Sequence, residues 1–208
     1  MKKIYVVGNW TEYASWIRDS KLVDSVEEAD IVLFTGGEDV HPDMYDREMH
    51  PRTYANIRRD IQEKSIFDSV REDQMCLGIC RGSQFLCVMN GGILVQHCTN
   101  HALGYTHPIT NGSEVYDITS THHQMQYPFV ISPEYYDILY AAKHRSDTYE
   151  GDGVSYENLV KYGDPEIVYY HVPGNPKCLA IQGHPEMMRE DSPTIAMLNN
   201  LVDSIWKK

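Results

Sequence analysis

The chain has 208 residues, 42% of them hydrophobic and 23% charged, with 18 basic side chains against 30 acidic ones for a net charge of −12. That length can bury ~70% of the unfolded surface without disulfide or metal staples, and the composition excludes a disordered, collagenous or coiled-coil chain; residues 1–208 read as one domain. An acidic surface repels phosphate backbones, so no nucleic-acid partner is expected, and no run approaches the ~20 apolar residues of a membrane span, so no membrane partner is expected either.

The first ten residues carry two lysines and an apolar run. At about five residues the run is too short for the core of a signal peptide. Lys2–Val7 therefore reads as a first strand, and a cytoplasmic location is expected. Ile31–Phe34 and Met75–Ile79 are two further apolar runs of strand length. Helix-like sequence around Trp10–Arg18 and Val26–Ala29 separates the first two. An amphipathic stretch, Asn56–Glu72, precedes the third and predicts a helix with a solvated charged face. This alternation argues for a parallel α/β sheet. After Cys80 the sequence predicts a helix over Arg81–Met89, closed by Asn90-Gly91-Gly92. His97–Gly112 holds turn residues and no clear period. Ser113–Thr119, Tyr136–Ala141, Glu166–Val172 and Cys178–Ile181 then read as strands of antiparallel character. Ser192-Pro193 is an N-cap and first-turn pair. Ile195, Leu198, Val202 and Ile205 recur at helical spacing behind it, which predicts a last helix packed on the core.

The cysteines are Cys76, Cys80, Cys87, Cys98 and Cys178, an odd number with no Cys-x-x-Cys. In a cytosolic chain most such cysteines are reduced, buried fillers. Cys80 stands apart. An apolar strand runs into Gly78-x-Cys80-x-Gly82 and a helix follows, the nucleophile-elbow pattern with cysteine in the serine place. Glycine on both sides relieves the clashes of a tight strand-to-helix turn. The turn sets the sulfur at a helix N-terminus, where backbone amides and the helix dipole favour thiolate. The Arg81 amide points to where an oxyanion would form. The plain alternative is a buried cysteine beside a glycine turn. Further on, a short apolar strand ends in Gln182-Gly-His184-Pro-Glu186. Glu186 can orient His184 and stabilise its protonated form, and His184 can take the thiol proton. A satisfied loop histidine is the competing reading. Finally, the strand Ile31–Phe34 ends in Gly36-Gly37, whose exposed amides suit an oxyanion nest as well as a simple strand-end turn.

Taken together and in this order, these motifs resemble class I glutamine amidotransferases, and most closely their γ-glutamyl hydrolase branch, the hydrolases of γ-glutamyl-GABA and γ-glutamylated polyamines. The resemblance rests on Gly36-Gly37-x-Asp39-Val-x-Pro42-x-x-Tyr45, on Gly78-Ile-Cys80-Arg81-Gly82-x-Gln84 continued by Gly91-Gly92 and Gln96, on Ser120-x-His122-His123-Gln124, and on Gln182-Gly-His184-Pro-Glu186. It covers roughly residues 4–188. It implies a flavodoxin-like α/β fold: a mainly parallel central sheet flanked by helices, with a small antiparallel extension. It also implies a catalytic Cys80, His184 and Glu186, and an oxyanion hole from the amides of Gly37 and Arg81. A glutamyl-binding pocket would be formed by Gly36, Gln84, His122, His123 and Gln124. The reaction implied is γ-amide hydrolysis through a γ-glutamyl thioester, with a small γ-glutamyl amide or glutamine as substrate. The sequence departs from the branch in a short stretch between Gln96 and Thr121, and in Thr119 where asparagine is common.

His97, Cys98, His101 and His107 fit no common zinc spacing, so they are expected on the pocket rim or in a solvated loop; no metal and no cofactor is expected. His122 and His123 read as pocket wall. Glu38 and Asp39 form either a solvated turn or a contact with a substrate amine. Three functions stay open: a free-standing γ-glutamyl hydrolase, a glutaminase handing ammonia to a synthetase, and a catalytically silent binding module on the same fold. The chain has no P-loop or ATP-grasp region, so any synthetase must be a separate chain. Assembly as a homodimer is left open.

Overall fold

The computed structural model describes residues 1–143 and 146–207. In chain order its strands and α-helices are β1 (Lys2–Val6), β2 (Ser20–Leu22), β3 (Ile31–Phe34), α1 (Ile57–Ser69), β4 (Met75–Ile79), α2 (Arg81–Met89), β5 (Ile93–Val95), β6 (His97–Cys98), β7 (Ala102–Thr110), β8 (Val115–Thr121), β9 (Met125–Tyr127), β10 (Tyr136–Ala142), β11 (Tyr149–Glu150), α3 (Tyr156–Tyr162), β12 (Asp164–Tyr170), β13 (Lys177–Ile181) and α4 (Pro193–Trp206). Nine strands form one sheet in the order β2-β1-β3-β4-β13-β12-β10-β7-β8. β2, β1, β3, β4 and β13 run parallel. Beyond β13 each neighbour is antiparallel. The architecture is the flavodoxin-like α/β fold, with four strands in the antiparallel extension.

The central strands are apolar throughout because both faces of the sheet are covered. Side chains alternate between the two cores with the strand period of two. Ile31, Leu33, Leu77, Ile79, Leu179 and Ile181 pack on one face, beneath α4. Val32, Phe34, Cys76 and Ala180 face the other way, toward Phe67 of α1 and Phe85 and Leu86 of α2. The helical spacing at the end of the chain holds: Ser192 Oγ caps α4 by accepting from the Ile195 amide at 3.2 Å, and Ile195, Leu198, Val202 and Ile205 are buried. Leu198 is fully enclosed, so Leu198→Ala should lower the unfolding free energy by ~2–5 kcal/mol, read from the midpoint of urea unfolding.

Three local expectations fail. The first is the helix between β1 and β3. Gly8 and Asn9 both take positive φ (83° and 62°), and Asp19 does so again at 50°. The segment between them is too short for a stable α-helix; it forms a 3₁₀ turn over Thr11–Ala14 and then enters the edge strand β2. Val26–Ala29 is a turn. Trp16 and Ile17 are nonetheless buried under α4. They are anchored there by the Asn199 side chain, which accepts from the Arg18 amide (2.9 Å) and donates to the Trp16 carbonyl (2.9 Å). The second is His97–Gly112, which contains β6 and the long strand β7. Its histidines blurred the alternating pattern because His101 and His107 point into the protein and are fully buried, on neither a rim nor a solvated loop. Cys98 is buried too. The third is the charged face of α1, where Asp60 and Glu63 are enclosed.

Candidate active site

Three neighbouring parallel strands, β3, β4 and β13, end side by side at one edge of the sheet. In open α/β sheets ligands collect at this carboxyl edge. Phe34 leads to Gly36-Gly37, Ile79 to Cys80, and Ile181 to His184. Segments far apart in sequence therefore meet because their strands are spatial neighbours.

Cys80 has φ 52° and ψ −110°, which a non-glycine residue holds only when its surroundings impose it. Its amide donates to the Ile181 carbonyl at 2.8 Å, and Ser83 Oγ donates to the Cys80 carbonyl at 2.6 Å. Both flanking glycines are sterically required: a Cβ at Gly78 would strike the Gly82 carbonyl, and one at Gly82 the backbone of Phe34. Cys80 is the N-cap residue of α2, beside the unpaired amides of the helix start.

His184 Nδ1 lies 2.5 Å from Glu186 Oε1, which leaves Nε2 to serve Cys80. Burial opposes charge on the imidazole, but hydrogen bonding to Cys80 and Glu186 and the charges on both outweigh it and push its pKa up to about 10. Thr119 clamps the backbone at this point: its hydroxyl accepts from the His184 amide at 2.5 Å and donates to the His184 carbonyl at 3.1 Å. Thr119→Val removes both bonds. It should cost roughly 1–3 kcal/mol of stability and lower kcat/KM about tenfold or more through a displaced imidazole, measured by denaturation and steady-state kinetics.

Tyr13 completes this side of the site. Its ring centroid is 6.0 Å from that of His184, and its hydroxyl lies against Gly36, where a Cβ would approach it to 2.7 Å. Burial, then the charges on Glu186 and Cys80, push the phenol up to about 12. No motif pointed to Tyr13, because it comes from the irregular segment after β1.

The loop after β3 is held by Arg59 of α1, whose guanidinium donates to the Gly36 carbonyl (3.0 Å), Glu38 (2.8 Å) and Glu63 (2.7 Å). Gly37 sits at φ 139°, and a Cβ there would run into that guanidinium. The Arg81 side chain is fully buried and paired with Asp60 and Glu63. Asp60 also accepts from the His41 amide at 3.0 Å. Burial raises the Asp60 pKa against the pull of Arg81. These carboxylates turn inward because α1 must join the loop carrying Gly37 to the turn carrying Cys80. The amides of Gly37 and Arg81, expected to form an oxyanion hole, thus belong to two segments braced by the same ion network.

A cavity of ≈ 130 Å³ opens on Cys80, well below the ~300–1,000 Å³ of sites for drug-sized ligands and suited to an amino-acid-sized group. Gly37, Arg81, Gln84, His122, His123 and Gln124 line it with Glu38 and Asp39. Gly36 lies behind Gly37 against Tyr13 and His184 and is not part of the lining. Gln84 Nε2 donates to the Gln124 carbonyl at 2.9 Å and Gln124 Nε2 to Thr53 Oγ1 at 3.1 Å. The side-chain carbonyls of both glutamines are buried and have no partner among the described residues, so they offer two acceptors to a ligand. Asp39 is part of the frame: it accepts from the Tyr54 amide at 2.9 Å and lies 3.2 Å from His123 Nε2. That bond, foremost among the influences, raises the His123 pKa.

Residues 15–129 match the family model of Peptidase C26. The chain belongs to the Peptidase C26 family. The match includes Cys80 and ends before His184 and Glu186. A candidate glutamine amidotransferase of Mycobacterium tuberculosis is 31% identical over 176 residues, 83% of this chain and 54% of its own length. The chain spans about half or less of the curated relatives it matches. Among solved structures, a candidate GMP synthase component from Thermoplasma acidophilum aligns with a TM-score of 0.56 at 18% identity, over 100% of this chain and 98% of that one. A glutamine amidotransferase from Thermotoga maritima aligns at 0.55 and 12% identity, over 97% and 84%. These likenesses place the fold of this C26 family member among the class I glutamine amidotransferases. No helix among the described residues is long and apolar enough to cross a membrane.

Proposed function

We propose that this chain hydrolyses a γ-glutamyl amide through a γ-glutamyl thioester on Cys80, releasing an amine and then glutamate. The observation that carries the reading is the strained Cys80 turn at a helix N-terminus, facing a His184 already oriented by Glu186. The thiolate attacks the γ-carbonyl carbon, and the carbonyl oxygen takes the negative charge between the Gly37 and Arg81 amides. As the tetrahedral intermediate collapses, the C–N bond breaks and the imidazolium gives its proton to the leaving nitrogen. His184 then takes a proton from water, which attacks the thioester and frees glutamate and the Cys80 sulfur. The free carbonyls of Gln84 and Gln124 are suited to accept from the substrate's α-ammonium group, with Glu38 and Asp39 adding negative charge nearby. His122 and His123 line the same pocket.

The 31% likeness to a candidate glutamine amidotransferase favours a second reading, in which glutamine is the substrate and ammonia passes to a separate synthetase subunit. The experiment that separates the two incubates the purified chain with glutamine and with a panel of γ-glutamyl amines, and measures glutamate release. Faster turnover of γ-glutamyl amines without a partner supports hydrolase action. Turnover of glutamine alone, rising with a synthetase, supports the second. No glutamate from any of them sinks both and leaves a binding module.

Alkylation gives an independent check. Burial pushes the Cys87 thiol up to about 12 and Cys76 and Cys98 well above the usual range. Brief iodoacetamide treatment should therefore label Cys80 first, with peptide mass mapping as the readout; equal labelling of several cysteines would contradict an activated nucleophile.

A further inference from the structure

Four buried side chains that take no part in the bond-making steps above, one of them also lining the Cys80 cavity, converge in the antiparallel half of the sheet. His101 immediately precedes β7, His107 lies within it, His122 immediately follows β8, and Glu166 is in β12. All four are at most 3% exposed, and one nitrogen or oxygen atom from each lies within 4.8 Å of the others. Glu166 Oε1 is 3.4 Å from His101 Nδ1, 3.1 Å from His107 Nε2 and 3.8 Å from His122 Nε2. None of these four atoms has a hydrogen-bond partner among the described residues, and neither does His107 Nδ1 or Glu166 Oε2. Buried polar groups in folded proteins are almost always satisfied, and these four converge within ion-pair reach of one another, an arrangement that one shared cation would satisfy. The spacing says which kind. A tetrahedral zinc ion holds nitrogen and oxygen donors at ~2.0–2.2 Å, which sets those donors about 3.3 Å apart.

The outer nitrogens of two of the three histidines are already held. His101 Nε2 bonds Asp164 Oδ2 at 2.7 Å, and Asp164 Oδ1 accepts from the Tyr149 hydroxyl at 2.5 Å. His122 Nδ1 donates to the Gln124 carbonyl at 2.8 Å. A carboxylate or carbonyl on the far nitrogen fixes the tautomer that turns a lone pair inward, the usual support of a metal-bound histidine. Two carboxylates, Glu166 as ligand and Asp164 behind His101, balance a doubly charged ion.

We propose that His101 Nδ1, His107 Nε2, His122 Nε2 and the Glu166 carboxylate bind one divalent transition-metal ion of the zinc class. All four positions come from the protein, so the site is closed and structural, with no open position for a reacting water. The sheet explains why it sits here. β7 and β12 are not adjacent in the sheet, and among the described residues the strand between them, β10, pairs with β7 at a single register position, Ala141 with Thr110. The ion joins β7 to β12 and reaches His122, beside the cavity-lining His123 and Gln124. This site stands whether or not the thioester chemistry does.

The test uses the whole chain purified without a histidine tag, stripped with a chelator and titrated with Zn²⁺ or Co²⁺. About 1 equivalent of either ion should bind per chain, Co²⁺ should show the intense visible bands of a tetrahedral N/O site without a thiolate charge-transfer band, and the metal-loaded protein should melt at least several degrees above the stripped one. Cys80→Ala should bind as well as wild type, which separates this site from the proposed nucleophile, and His107→Leu should lose the ion. A folded wild-type chain that takes up no ion would overturn the proposal and leave a cluster held by imidazolium protons. So would a thiolate band, loss of binding in Cys80→Ala, or undiminished binding in a folded His107→Leu. If His107→Leu fails to fold, wild-type stoichiometry and the cobalt spectrum still decide.

Discussion

Cys80→Ser is expected to lose γ-glutamyl hydrolysis by on the order of 10⁴-fold or more in kcat/KM while keeping its circular dichroism and unfolding midpoint. A serine fits the same volume at the elbow, but its hydroxyl is far less acidic than a thiol. The His184 imidazole, held charged by its neighbours, is poor at removing a hydroxyl proton. The glycine contacts that shape the turn are untouched by this change. A serine variant with normal turnover would remove Cys80 from the mechanism.

His184→Ala should cost about 10²–10⁴-fold, the range for lost acid–base catalysis, and Glu186→Gln distinctly less, since an amide can still accept the imidazole hydrogen bond. Their pH profiles distinguish orienting from proton transfer. The His184 pKa is raised from 6.5 to about 10. Its proton therefore stays on through neutral pH, and the stability its pairing contributes is full below about 6.5 and is lost as pH rises through about 10. The wild-type kcat/KM should accordingly show an alkaline limb near 10. Glu186→Gln removes a negative charge and should move that limb to lower pH. If the limb does not move, or if Glu186→Gln is as inactive as His184→Ala, the orienting role of Glu186 is wrong.

Much of this was legible in the sequence for identifiable physical reasons. A tight strand-to-helix turn tolerates few residues at Gly78 and Gly82, so its sterics are written in the chain. Strand-length apolar runs and the spacing of Ile195, Leu198, Val202 and Ile205 carry their own periods. The sequence hid whatever depends on what faces what. Asp60 and Glu63 look like an ordinary wet helix face until Arg59 and Arg81 are placed over them. His101 and His107 fit no common zinc spacing by themselves, and the His122 and Glu166 they meet come from distant parts of the chain. Thr119 reads as a departure from the family pattern, yet its hydroxyl satisfies both backbone groups of His184. The segment after β1 hid Tyr13 because no regular element marks it.

The placement of β13 between β4 and β12 has a consequence for how the protein is made. Its parallel partner β4, Met75 beside Lys177, lies about a hundred residues earlier in the chain, and such long-range pairings form slowly because loop closure comes first. During synthesis the ribosome therefore releases Cys80 well before the strand that delivers His184 and Glu186. Until β13 inserts, His184 is not placed beside the sulfur, the Cys80 turn lacks the Ile181 carbonyl that fixes its amide, and β4 and β12 expose bare edges to other chains. On this basis nascent chains arrested before residue 177 should carry an unreactive Cys80 and depend on chaperones, and thiol reactivity should appear together with the closing of the sheet.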